Sequence, residues 1–283
     1  MPKIAFVVDT DCSLPEDLAA RYNIRQVPIT VQFGEESFLT GVNIDDAALF
    51  ERVDLENKLP STAAPSPGQF LDAYRAAFET GAASVICLAV SSAISATYNN
   101  AVAACDLLPD RDITVIDTHN LSLGQGFMAL AAAEAAQQGA SKEECLARAV
   151  DEGQRTYLFA ALATLKYLAM SGRVGSIAAG VAGLLSIKPI LTIQAGKLEL
   201  LERVRTQKKA WDRTVELTAQ ATDGKAIKRM GIVHVAALPA AQEFERLLRA
   251  RLACPTDILM TDLTPGLSVH TGAGLVGVVG VTN

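Results

Sequence analysis

Val85-Ile86-Cys87-Leu88-Ala89-Val90-Ser91-Ser92-Ala93-Ile94-Ser95-Ala96-Thr97-Tyr98 is the stretch whose reading decides the fold. Its first six residues form an unbroken apolar run and read as a buried strand. The residues that follow, through Ala101, Val102 and Cys105, read as a helix. The hydroxyls of Ser91, Ser92, Ser95 and Thr97 then fall at the carboxyl end of a strand and the amino end of a helix, where open α/β sheets take ligands. Free amide groups at a helix start favour an anion. The segment carries no Lys, Arg, Asp or Glu, so neutral donors would hold that anion. This describes a binding pocket better than a charged catalytic centre.

Outward from this stretch the first half alternates strand and helix patterns. Ile4–Val8 reads as a strand. Ser13 reads as the N-cap of a helix, with Pro15 in its first turn and Glu16 three residues after the cap. The run 24–31 contains Pro28 and reads as an edge strand. The run 45–52 is a short helix, and Ser66-Pro67-Gly68-Gln69 opens another through Phe78. The run 113–116 is a strand and 120–138 a long Ala-rich helix. Ser141-Lys142-Glu143-Glu144 is a capping box for the next helix. Such alternation implies a parallel, layered α/β sheet. The second half changes character. Strand patterns at 158–164, 188–194, 197–205, 231–236, 257–262 and 274–281 are joined in places by short turns such as Gln194-Ala195-Gly196. Helical patterns at 165–169, 176–185, 206–221 and 240–252 intervene. This suggests an α+β domain with antiparallel pairing. The expected division is 1–158 and 159–283, with a ligand site between the halves.

Half of the 283 residues are hydrophobic, ample for a large core. The start, Met1-Pro2-Lys3-Ile4, is flanked wrongly for a signal peptide. The apolar stretch 177–193 is broken by Lys188-Pro189 and does not read as a membrane span. Five scattered cysteines lack metal spacing and, being odd in number, argue against a secreted disulfide framework. A reducing cytoplasm is the expected compartment. Up to Leu158 there are 10 basic and 22 acidic residues, a balance of −12; beyond it there are 15 and 9, a balance of +6. That asymmetry marks either a surface for an acidic partner or phosphate, or an ordinary solvated face. Nucleic acid is not indicated, because no dense basic run is interleaved with aromatics.

Three segments share one chemical style of hydroxyls, small residues and a helix start or tight turn. They are Ser91–Tyr98, the proline-framed Pro60-Ser61-Thr62-Ala63-Ala64-Pro65-Ser66-Pro67-Gly68, and Val269-His270-Thr271-Gly272-Ala273-Gly274. The prolines hold Thr62 in extended backbone, and His270 brings a donor able to become cationic. Caps and turns use the same residues, so each segment alone is compatible with a purely structural role. Their joint occurrence favours a site.

The chain resembles the DegV family, the bacterial fatty-acid-binding family that includes the FakB subunits of fatty acid kinase. The landmarks run nearly end to end: Asp9-Thr10-Asp11-Cys12-Ser13-Leu14, Val27-Pro28-Ile29, the Thr62 and Ser91 segments, Ser171-Gly172-Arg173-Val174, Lys188-Pro189-Ile190, Val204-Arg205-Thr206-Gln207 and His270-Thr271-Gly272-Ala273-Gly274. The resemblance implies two α/β-type domains with a long-chain fatty acid between them, its acyl chain in an apolar tunnel. By motif it implies that Thr62, Ser95 and His270 meet the carboxyl group, with Thr97 and Thr271 as further head-group contacts. Arg173 and Arg205 would form a kinase-facing rim. The implied role is non-catalytic and needs no cofactor: the fatty acid is held while a separate ATP-dependent kinase makes it an acyl phosphate. Three residues depart from the family pattern. Ala63-Ala64 replaces a Ser-Gln pair, Ala96 replaces a glycine and so requires negative φ, and Ser171 replaces the first glycine of Gly-Gly-Arg. The stretch 177–185 reads equally as tail-pocket lining and as ordinary core helix.

An alternative reading starts from Val7-Val8-Asp9-Thr10-Asp11, which resembles the Asp-x-Asp start of haloacid-dehalogenase phosphatases, with Asp9 as nucleophile and Asp11 as acid–base. A downstream acidic pair for magnesium is missing. A hydrolase built on Ser95 and His270 lacks the Gly-x-Ser-x-Gly elbow.

Overall fold

The computed structural model describes residues 3–173 and 187–283. The run 85–90 is the middle of the first sheet. Strands β1 (Ile4–Asp9), β2 (Ile24–Val27), β6 (Ser84–Ala89) and β7 (Ile113–Asp117) pair in parallel in the order β2-β1-β6-β7. All six residues of β6 are buried. Alternation sends Val85 and Cys87 to one face and Ile86 and Leu88 to the other. The first face packs under helices α3 (Pro67–Glu79) and α4 (Thr97–Cys105). The second meets α5 (Leu123–Gln137), whose residues are buried on all sides, as a helix lying between two sheets must be.

The second sheet lies beyond α5. Its strands are β8 (Thr156–Ala161), β9 (Lys188–Gln194), β10 (Lys197–Val204), β11 (Ile227–His234), β12 (Leu259–Asp262) and β13 (Val276–Thr282), in the order β10-β9-β8-β13-β11-β12. Only β11 and β12 are parallel. Its outer face carries α8 (Gln207–Thr222) and α9 (Leu238–Arg251). The layers therefore run helix, parallel sheet, helix, mixed sheet, helix, and the core around α5 is continuous from one sheet to the other. Position 158, where the sequence pattern changes, lies inside β8. Helix α6 (Lys142–Gln154) starts at the expected capping box, with Ser141 and Glu144 serving each other's backbone. A small antiparallel sheet of β3 (Thr30–Phe33), β4 (Glu36–Leu39) and β5 (Ser61–Ala63), in the order β4-β3-β5, sits with α2 (Asp46–Glu56) and α1 (Glu16–Arg21) beside the first sheet. The short helices α7 (Lys166–Met170) and α10 (Pro265–Thr271) pack on each other.

Several local expectations change. Ser13 is not an N-cap. It closes a 3-10 turn, Thr10–Cys12, in a left-handed conformation with φ 53°, and α1 begins three residues later. Pro28 does not sit within one edge strand. It separates edge strand β2 from β3, which belongs to another sheet. The long helix starts at Leu123 rather than residue 120, after Ser122 at φ 52°. His270 lies in the last turn of a helix, at neither a helix start nor a tight turn. The helix expected at 176–185 lies outside the described residues.

Candidate functional site

The three hydroxyl-bearing segments converge on the boundary between the sheets, by different routes. Thr62 is the centre of β5 and pairs with Val31 of β3, which fixes the direction of its side chain. His270 is placed by α10. Thr264-Pro265 opens that helix, and Gly272, at φ 81°, closes it. A side chain at Gly272 would run into the Tyr167 ring, so only glycine permits this stop against α7. The result is a contact across 208 residues of chain, Thr62 Oγ1 to His270 Nε2 at 3.0 Å. Burial, aided by the positive charge of Arg173, pushes the imidazole down to about 4. It is therefore neutral at physiological pH, one nitrogen donating and the other accepting. His270 Nδ1 is buried and has no partner among the described residues.

The Ser91–Tyr98 segment divides its hydroxyls between two tasks. Ser91 is fully buried, and its Oγ donates to the Gly196 carbonyl at 2.7 Å, tying the β9–β10 turn to the first sheet. That turn fits only because Ala195 and Gly196 both have positive φ and Gly196 has no Cβ to strike Ser91 and His119. Ser95 and Thr97 form a local pair, Oγ to Oγ1 at 2.8 Å, and Ser95 Oγ accepts from Thr97 N at the start of α4. The substitution at position 96 fits: Ala96 has φ −72°. Asn100 of α4 donates to the Pro65 carbonyl at 2.9 Å, joining the Thr62 segment to the Ser95 segment.

Beside these groups lies a cavity of about 510 Å³, within the range of roughly 300–1,000 Å³ usual for small-molecule pockets. Among the described residues its walls are hydrocarbon from both sides: Ile94 and Leu121 from the loops after the first sheet's strands, and Leu158, Ala160, Leu162, Leu191, Leu198, Val233, Leu263, Leu267 and Leu275 from the second sheet and the segments joined to it. Its polar lining among the described residues is Ser122, Arg173, Lys197, Glu199, His270 and Thr271. His270 thus connects the cavity to Thr62. Thr271 lines the cavity, with its hydroxyl turned to the Leu267 and Ser268 carbonyls of its own helix. Ser95 and Thr97 are not among the lining residues. Arg173 lines the His270 end, and its Nη1 donates to the Ser171 carbonyl at 2.7 Å. Ser171 replaces glycine without strain, because φ is −87° there and the positive φ falls on Gly172. Arg205 is exposed just past β10 and away from the lining.

The Asp9–Asp11 reading is corrected here. Asp9 is fully buried. One oxygen accepts from Asp11 N at 3.1 Å, the other from Val90 N at 2.8 Å and Gln125 Nε2 at 2.9 Å. Burial raises its carboxyl to about 6 against those hydrogen bonds. Burial, then the Asp9 charge, holds Asp11 well above the usual carboxylate range. A nucleophile must reach its substrate, and Asp9 instead ties β1 to β6 and α5. Sequence reasoning also missed cavity residues. The alternation Leu158-Phe159-Ala160-Ala161-Leu162 was the available signal, since its even positions are the lining.

The fold and this cavity define a layered α/β protein with an apolar chamber between two sheets and a polar lining that includes a neutral imidazole at one end. The chain belongs to the DegV family, whose description, "Uncharacterised protein, DegV family", it matches over residues 3–283. A DegV domain-containing protein of Streptomyces coelicolor is 33% identical over 277 residues, covering 98% of this chain and 97% of that one. A solved DegV family protein from Thermus thermophilus, described as fatty-acid binding, is 30% identical with a TM-score of 0.93, covering 99% of this chain and 100% of that one. A stearic-acid-binding protein from Eubacterium ventriosum is 25% identical with a TM-score of 0.91, covering 100% and 98%. Among the described residues no helix is long and apolar enough to cross a membrane.

Proposed function

We propose that this chain binds a long-chain fatty acid, with the tail in the hydrocarbon chamber and the carboxyl group at the Thr62–His270 pair, and presents it to a separate ATP-dependent kinase that forms the acyl phosphate. The observation that carries the reading is the about 510 Å³ apolar cavity with a neutral imidazole–hydroxyl pair at one end. Each methylene buried there contributes roughly 0.8 kcal/mol, so the tail dominates affinity and the head needs orientation. The neutral pair supplies that orientation, and Arg173 at the same end of the cavity adds positive charge. Ser95 and Thr97, joined to the Thr62 strap through Asn100 and Pro65, complete the polar wall in this reading. Arg173 beside His270 and the exposed Arg205 supply positive charge toward the kinase's nucleotide. The fatty-acid binding described for the Thermus thermophilus and Eubacterium ventriosum proteins supports the ligand class, and the protein acts without catalytic residues of its own. Native mass spectrometry of the purified protein is expected to show one bound fatty acid, and delipidated protein to take up stearic acid at one site. Failure of delipidated, folded protein to bind any long-chain fatty acid would sink the reading.

A further inference from the structure

Helix α10, which carries His270, rests on a hydrogen-bond arrangement that has one hydrogen too few. Ser268 is fully buried, and its Oγ lies 2.8 Å from the Asp46 Oδ2 and 2.8 Å from the Leu263 carbonyl. A hydroxyl donates one hydrogen. The Leu263 carbonyl has none to give, so both contacts are satisfied only when the Asp46 carboxyl supplies a hydrogen to Ser268, which then donates to Leu263. The other Asp46 oxygen, Oδ1, is buried with no partner among the described residues. An ionised carboxylate would strand that oxygen as well, and stranding a buried charged acceptor is costly.

We propose that Asp46 is a positioning residue that works as a neutral acid, donating to Ser268 and so fixing α10 and His270 at the end of the cavity. His270 lies two residues beyond Ser268, and Leu267 and Thr271 of the same helix line the cavity. The surrounding charges favour the neutral acid. Burial, acting against the lowering pull of the Ser268 hydroxyl and joined by the like charges of Asp262 at the end of β12 and of Asp45 at the N-cap of α2, brings the Asp46 carboxyl up to about 7. On the other side of α10, Asp11 is buried against Gly266. Arg52, farther along α2, is engaged by Glu36 and Glu56. Asp262 pairs with His234 at 2.9 Å. On α7, Lys166 lies over Tyr167, whose ring stands edge-on to Phe50 of α2. Arg173 acts on His270 itself. Loss of the proton as pH rises through neutrality would loosen α10 and release His270 from its fixed position. Its consequence for ligand retention rests on the fatty-acid reading; the positioning of His270 does not.

The test reads His270 directly. In delipidated protein with isotope-labelled histidine rings, the His270 signal, assigned with His270→Ala, is followed from pH 6 to 8.5. The expected result is a shift with a midpoint near 7 in the parent, absent in Asp46→Asn, whose amide retains the hydrogen, and absent in Ser268→Ala, which breaks the relay. A signal that stays still in the parent, or moves with the same midpoint in Asp46→Asn or Ser268→Ala, would overturn the proposal. Stearic acid binding, measured separately on the same samples, distinguishes the two readings: its failure removes the ligand and leaves the His270 result standing.

Discussion

At the scale of single residues, the site rests on one long-range contact. Thr62 was legible as a residue held in extended backbone between prolines, and His270 as a lone titratable group beside glycines. Their 3.0 Å contact was not legible, because it depends on β5 and α10 meeting from opposite ends of the chain. The departures at Ala96 and Ser171 are explained by backbone angles, φ −72° and φ −87°, neither of which needs glycine. Thr62→Val keeps the β-branched shape and removes the hydroxyl that His270 meets. With a hydrogen bond to a carboxylate worth about 1.5–3 kcal/mol, fatty-acid affinity is expected to fall about 10- to 160-fold, and the His270 nitrogen left unpaired lowers the thermal midpoint as well. Calorimetric titration of the variant checks this, and unchanged affinity removes Thr62 from the head-group site. Ser95→Ala also loses the partner of Thr97 and is expected to weaken binding less, by about 5-fold, since a net hydrogen bond is worth about 1 kcal/mol.

At the scale of elements, periodicity and caps predicted the parallel strands and the capped helices, because those signals are local. α10 was not legible. It is seven residues long, opens on Pro265 and stops at Gly272, and such a stretch carries the same residues as a turn. The strand break at Pro28 was misplaced for a related reason: proline marks an interruption without saying which sheet the chain enters next. Strand β8 presents Leu158 and Ala160 to the cavity, with Leu162 just beyond its end, and Ala160 is the small one, so it leaves the space there. It lines the cavity and faces Gly277 across the β8–β13 ladder, which leaves open space beside it on that face, so a phenylalanine there covers the glycine and fills part of the cavity. Ala160→Phe is expected to shorten the longest acyl chain retained by several methylenes, at about 0.8 kcal/mol of affinity for each one excluded. Chain lengths of co-purified lipid from parent and variant, read by mass spectrometry, decide it. Identical profiles would show that the tail does not pass β8.

At the scale of the whole molecule, two parallel histories of burial set the pH response. His270 is held at about 4 against an ordinary 6.5, so between those values the unfolded chain binds the extra proton and stability rises with pH. Asp9 at about 6 and Asp46 at about 7, against an ordinary 3.8, have the opposite sign. There the folded chain binds the extra proton, and stability falls as pH climbs from 3.8 through those values; Asp11 is raised in the same direction. Below 6.5 the two effects oppose one another. Above it the histidine term is spent and only the carboxyls act, so unfolding free energy is expected to drop between pH 6.5 and 8, at up to about 1.4 kcal/mol per pH unit for each proton retained. This was invisible in the sequence, where the −6 net charge says nothing of which carboxylates are buried. Urea unfolding at the two pH values measures the drop. Asp46→Asn removes one titrating group without removing its hydrogen, so the drop should be smaller in the variant than in the parent. Equal drops in the two proteins would mean that Asp46 is already ionised at pH 6.5, and that α10 is held by packing against α2, α7 and β3 alone.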